Sequence, residues 1–401
     1  MDSGNTAWML TACALVLLMT PGLAFFYGGL VRARNVVSTI MYSFIAMAIV
    51  SVVWVLWGYS LAFGEGNPYI GDLSLLGLSG IDVQTQGDTL LFVVFQMMFA
   101  IITPALITGA FVERFKFTTY MLFLVIWVTI VYAPIAHWVW AGNGWLFTMG
   151  AADFAGGTVV HINAGVAALA AALLVGKRKN PAPEPHNVPY VVLGAAILWF
   201  GWFGFNAGSG LAANELAVNA FLVTNTAAAT AALTWGIISQ IRTGKMSAVG
   251  VATGAVAGLV AITPASGFVG VMGALAIGFG AGVFCYLAVL VRAKTNVDDA
   301  LEVVAVHGVG GLWGAIATGI FAASAVGGVS GLIEGNAGQV VTQIVACIAT
   351  IVYSFTVTMI ILKVLDLIPG LGLRVKDENE DQGLDLSSHG ERAFVSDGAD
   401  S

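Results

Sequence analysis

The stretch DFAGGTVVHINAG, Asp153–Gly165, places a carboxylate and an imidazole in a run of glycine, alanine and valine. A second stretch, DALEVVAVHGVGG, Asp299–Gly311, repeats the arrangement: an Asp precedes a His by eight residues and small residues follow. Whether these groups sit in a soluble core or inside a bilayer decides the fold. The chain of 401 residues is 58% hydrophobic and 9% charged, against roughly 25% charged residues in an ordinary soluble domain. Its apolar segments are long enough to cross a ~30 Å hydrocarbon core, which takes about 20 helical residues. They are continuous rather than alternating, so they read as helices and not as barrel strands. The expectation is an all-α polytopic membrane protein.

Positive charge fixes the number of spans. Lys and Arg fall in clusters: Arg32 and Arg34; Arg114 and Lys116; Lys177, Arg178 and Lys179; Arg242 and Lys245; Arg292 and Lys294. Each interval between clusters has room for two spans, and the turn between those spans carries no basic residue, the positive-inside pattern. The intervening turns, 64–88, 140–153, 208–216, 263–267 and 325–338, are neutral or acidic and read as external. One span precedes Arg32 and a final one runs from about Gln339 to Leu365, giving eleven transmembrane helices, N-terminus outside and C-terminus cytoplasmic. The opening MDSGNTAWML has no basic region and does not read as a cleaved leader. Cys13, Cys285 and Cys347 lie within apolar spans and form no disulfide framework. A net charge of −7 with no basic patch gives no reason to expect nucleic acid.

The chain divides into five spans over residues 1–176, a cytoplasmic linker at 177–187 and five spans over 188–324. An external loop and eleventh helix follow over 325–365, and a cytoplasmic C-terminal tail over 366–401. An odd number of spans per half makes the halves point oppositely, so the two Asp-to-His stretches, each in the fifth helix of its half, read as an inverted repeat with its site near the midplane. Eight helical residues at 1.5 Å each put each His about 12 Å from the end of its helix. In a core of ~30 Å the two imidazoles then lie about one turn apart in level, within reach of each other.

Ionisable residues inside a span face a cavity, a pathway or each other. Two neutral imidazoles can share one N–H···N bond and keep one N–H and one lone pair for a small, neutral, hydrogen-bonding guest. The bland alternative is that each His packs against a neighbouring helix. A haem or metal centre is not expected, since there is no HExxH, no cysteine pair and no evident third ligand, and no cofactor is implied. The glycines around both sites read as close helix packing.

The quoted stretches, with GWFGFNAGS (201–209), FQMMFAIITPALITGAFVERFKF (95–117), VDDALEVVAVHGVGGLWG (297–314) and the tail GLRVKDENEDQGLDLSSHGERAF (372–394), resemble the Amt/Mep/Rh ammonium transporters, most closely the prokaryotic Amt branch. The resemblance implies a homotrimer in the cytoplasmic membrane, each subunit with its own hydrophobic pore. It implies external ammonium recruitment by Trp140, Phe99, Ser209 and Asp153, a gate of Phe99 and Phe205, and pore histidines His161 and His307. Phe95 and Thr263 would stand at the vestibule wall. A cation over aromatic faces gains about 0.5–2 kcal/mol, but moving it bare into a low dielectric costs tens of kcal/mol on the Born estimate. Ammonium is therefore expected to be recruited, deprotonated and passed on as ammonia. The tail would dock on the trimer's inner loops and on a PII-type regulatory protein.

Some residues carry two readings. Asp153 either caps the fifth helix, worth about 1 kcal/mol, or favours a cation above it; Asp299 reads as a cap only. WAGNGW (140–145) departs from the family's glycine run, so Trp145 competes with Trp140 for the external site. Trp138, Trp199, Trp202 and Trp313 read as interfacial or packing residues. Glu302 and Phe394 stand where Asp and Tyr are usual, and neither is expected at the pore. Rival functions are an ammonium sensor signalling through its tail and a channel for another small neutral solute such as carbon dioxide.

Overall fold

The computed structural model describes residues 2–181 and 184–394. Its spans, in chain order, are α1 (Ser3–Leu30), α2 (Ala33–Phe63), α3 (Gly87–Ala110), α4 (Phe117–Thr148), α5 (Gly157–Val175), α6 (Val188–Gly208), α7 (Glu215–Thr243), α8 (Ala248–Ile262), α9 (Val271–Arg292), α10 (Val304–Phe321) and α11 (Ala337–Leu367). Ten are long and apolar enough to cross a membrane, and α8 is the shorter apolar helix that completes the eleven. Among the described residues there is no strand beyond two isolated bridges. The chain is therefore an all-helical, multi-pass membrane protein.

Local chemistry starts several of these helices. Asp2 Oδ1 accepts the Asn5 N–H at 2.9 Å, Asn187 Oδ1 that of Tyr190 at 3.0 Å, Asn214 Oδ1 that of Ala217 at 3.1 Å, and Ser247 Oγ that of Gly250 at 3.1 Å. Each satisfies an N–H that the first helical turn leaves without a partner. Large apolar side chains such as Phe44, Phe279 and Ile348 are more than half exposed, as suits helices surrounded by hydrocarbon.

The interior is set by small residues. A Cβ placed on Gly165 of α5 would stand 2.3 Å from the backbone nitrogen of Gly308 in α10, so these helices meet backbone to backbone, as small residues allow in membranes. That approach sets the spacing of the histidines they carry.

Both helices begin later than the Asp-to-His spacing predicts. Residues 153–156 are not helical, Gly156 has φ 112°, and α5 opens at Gly157 with a wide π-helical turn over Gly157–Ile162. Ahead of α10, Glu302 is non-helical at φ 63°, and a second π-helical turn covers Val304–Val309. His161 and His307 thus sit in the first turns of their helices, not two turns down.

The tail folds back on its own chain rather than standing free in solvent. The Lys116 N–H bonds Leu373 O at 2.8 Å and the Val375 N–H bonds Arg114 O at 3.0 Å. A short helix, Asp377–Gln382, follows, and Asp385 accepts the Ser38 N–H of α2 at 2.8 Å. The expected tail beyond residue 394 lies outside the described residues, as do residues 182–183 of the expected linker.

Candidate functional site: a histidine pair beside an aromatic ladder

His161 and His307 meet through Nδ1 of each ring, 3.2 Å apart. Their planes are 24° from parallel with centroids 5.3 Å apart, and both residues are buried. A hydrogen bond between two Nδ1 atoms needs a proton on one and a lone pair on the other. In the neutral pair, one Nε2 is therefore an acceptor and the other an N–H donor. Nε2 of His161 has no partner among the described residues. The arrangement offers a small guest one acceptor and one donor, at separate points on either side of the Nδ1 contact.

Aromatic rings continue the line towards the face that carries the N-terminus. Phe205 lies 6.0 Å from His161 at 28°, Phe99 lies 4.3 Å from Phe205 at 34°, and Trp140 stands edge-on to Phe99 at 5.7 Å. Phe99 and Phe205 are 1% and 0% exposed, so the two rings close that side. Phe95 backs Phe99 at 4.9 Å. Ser209 donates its hydroxyl proton to Phe205 O at 2.8 Å, leaving its lone pairs as acceptors.

Between the two candidate indoles the geometry is plain. Trp140 is held against Phe99 by its Nε1–H, which bonds Asp153 O at 2.9 Å. Trp145 packs instead on Trp138 and Tyr69, at 5.8 and 6.5 Å.

The Asp153 carboxylate faces the start of α5. It accepts the N–H groups of Gly156 at 2.9 Å, Thr158 at 2.9 Å and Val159 at 3.2 Å, together with the Gly157 N–H and the Thr158 hydroxyl. Concentrated N–H donors at a helix N-terminus are a site for negative charge, and here the chain supplies its own anion. Asp299 is the counterpart ahead of α10, fully buried and accepting the Val304 N–H at 2.7 Å.

On the face that carries the tail, a cavity of about 710 Å³ reaches from both histidines to a mouth that includes Lys177, Arg178, Asp298 and Glu302. Arg178 grips Asp298 through Nη2 at 2.8 Å and Nε at 3.0 Å, and Glu113 through Nη1 at 2.9 Å. Burial acts to raise the Asp298 carboxyl, but the bonds and charge of Arg178 overcome it and hold that carboxyl below its ordinary value. Glu302 accepts from Arg292 Nε at 2.9 Å, and burial pushes its carboxyl up to about 7. Glu302 thus lines the cavity, contrary to the sequence expectation.

Two further placements sharpen the sequence reading. Of its two readings, Trp202 takes packing and not the interfacial belt: it stacks on His161 at 5.4 Å and 20°. Thr263 is fully buried and accepts the Trp202 Nε1–H at 2.9 Å. A hydroxyl directly after the apolar run GAVAGLVAI (254–262) was the available signal.

The Ammonium Transporter Family model matches residues 7–394. The chain belongs to this family. It is 50% identical over 399 residues to ammonium transporter Amt1 of Archaeoglobus fulgidus, covering 98% of this chain and 100% of that one. It is also 50% identical over 403 residues to the ammonium transporter of Bacillus subtilis, with 98% and 99% covered. Among solved structures, the crystal structure of Saccharomyces cerevisiae Mep2 superposes with TM-score 0.88 at 40% identity, over 94% of this chain and 88% of that one. A structure described as a sensor Amt protein superposes with TM-score 0.90 at 32% identity, over 96% and 98%.

Proposed function

We propose that the chain transports ammonium or ammonia across a membrane, and that the Nδ1–Nδ1 contact of His161 and His307 carries the reading. Ammonium is gathered at Trp140, Phe99 and Ser209, where aromatic faces and a hydroxyl acceptor favour a cation. The bare ion cannot follow the apolar route beyond, because its desolvation has no compensating partner. It gives its proton to water on the recruitment side, where the hydronium returns to bulk, and neutral ammonia passes the Phe99–Phe205 gate. Ammonia then bonds the histidines in turn, donating to the free Nε2 lone pair of one and accepting from the Nε2–H of the other. The wide mouth beyond rehydrates it. Asp153 holds the first turn of α5 and adds negative field below the recruitment site.

The same reading places the protein in a prokaryotic cytoplasmic membrane, recruitment side outward and tail inward, as a homotrimer with one pore per subunit. Its two five-helix halves form an inverted repeat. The acidic tail and the cavity mouth form the surface for a PII-type regulatory protein.

Uptake of methylammonium into vesicles holding the purified chain tests the proposal: His161→Ala lowers uptake steeply, and unchanged uptake overturns the role of the pair. A second reading, an ammonium sensor, draws on the docked tail, whose Asp385 caps α2. Saturable ammonium binding without flux would favour it.

A further inference from the structure

The proposed transport requires His161 to present its ring at a fixed tilt, and no hydrogen bond to the protein sets that tilt except the one to His307. The other large surface against it is Trp202, whose indole lies 20° from parallel with the imidazole and also meets Phe205 at 5.3 Å. Both Trp202 and His161 line the cavity. An indole has one polar atom, a donor. Here it points away from the histidine, and Nε1–H bonds Thr263 Oγ1 at 2.9 Å. Thr263 in turn donates to Leu259 O at 2.8 Å, one turn back on α8. Its single proton is thereby committed to its own helix, and its lone pairs are left for Trp202. Rotation of an aromatic ring about its second torsion is otherwise broad, and a buried N–H without an acceptor is costly. One hydroxyl therefore selects one indole plane.

We infer that Thr263 and Trp202 form a positioning unit for His161, resting on the transport reading above. The hydroxyl fixes the indole plane, and the indole face fixes the imidazole so that Nδ1 meets His307. The unit also shapes what the route accepts. With its N–H turned away, Trp202 gives the cavity beside the pair a π-face without a donor or an acceptor, so a guest finds strong hydrogen bonds only at the two Nε2 atoms. The same face favours the imidazole if it takes up a proton, since a ring quadrupole attracts a cation.

The test is the rate of methylammonium uptake against concentration in vesicles holding the full-length chain. Thr263→Val keeps the shape and removes the acceptor. The maximal rate is expected to fall about tenfold, while the half-saturating concentration stays within about twofold because the recruitment side is untouched. Thr263→Ser restores the rate. Trp202→Phe, which has no N–H to anchor, falls similarly, and adding Thr263→Val to it produces no further loss, as expected for two parts of one unit. A wild-type rate in Thr263→Val, failure of Thr263→Ser to restore it, or additive losses in the double variant would each overturn the inference. Wild-type chain that takes up nothing sinks the transport reading instead. Positioning is then read from the ¹⁵N resonances of the labelled His161 ring, which shift in Thr263→Val and hold in Thr263→Ser. Resonances that stay put in both overturn it.

Discussion

Gly165 and Gly308 touch without side chains between them: a Cβ on Gly165 would stand 2.3 Å from the Gly308 nitrogen. The contact lies one helical turn from His161 and next to His307, so it acts as the spacer of the pair. Gly165→Ala forces α5 and α10 apart. Overpacking of this kind costs about 1–3 kcal/mol, and a misplaced reacting group costs up to about a hundredfold in rate. The expected result is a modest loss of thermal stability in detergent with a disproportionate loss of uptake.

His161→Ala leaves His307 without its Nδ1 partner and removes one of the two Nε2 positions. Uptake is expected to fall at least about tenfold. Binding of methylammonium at Trp140 and Phe99, followed by tryptophan fluorescence, stays close to wild type, because the aromatic ladder separates the two places.

Phe205→Ala removes the ring that touches Phe99, Trp202 and His161. It joins the cavity to the opposite face. Stopped-flow shrinkage of vesicles should report water permeability well above wild type, and truncation of a buried Phe should cost about 3–5 kcal/mol of stability.

Asp153→Asn replaces a charged acceptor of four N–H groups and a hydroxyl with a neutral amide that brings donors of its own. A loss of about 3 kcal/mol is expected, seen as a lowered melting temperature. The half-saturating concentration for uptake is expected to rise as the field below the recruitment site is lost; an unchanged value would confine the carboxylate's role to the fold.

Arg178→Ala strands Glu113 and Asp298, whose side chains are 4% and 10% exposed. Removing one partner of a buried ion pair costs about 3–5 kcal/mol. The wild-type network also has a pH signature. The folded Asp298 carboxyl titrates below its ordinary 3.8, so the unfolded chain binds its proton first as pH falls. The stability it contributes is complete above 3.8 and drains away as pH drops through the lower folded value. Asp298→Asn flattens that acid limb of a melting-temperature profile.

Span number and the histidine pair were legible because both rest on one-dimensional signals: the positions of Lys and Arg, and two ionisable residues where every neighbour is apolar. The start of α5 was not. A spacing of eight suggested continuous helix, whereas the glycine at φ 112° and the ring of N–H groups around Asp153 depend on backbone torsions that periodicity does not encode. Trp202 was lost among eleven tryptophans, since which indole faces His161 depends on Thr263, far along the chain on another helix. Glu302 reaches the cavity through a left-handed backbone that its residue type gives no reason to expect. The docked tail was beyond composition, which reads an acidic run as solvated.

The wide cavity touches the histidines from one face, while Phe99 and Phe205 seal them from the other. Solute already delivered can therefore re-occupy the pair ahead of any newcomer waiting behind the rings. Accumulation on the far side would slow further arrival by simple mass action, giving the molecule a product brake that needs no second protein.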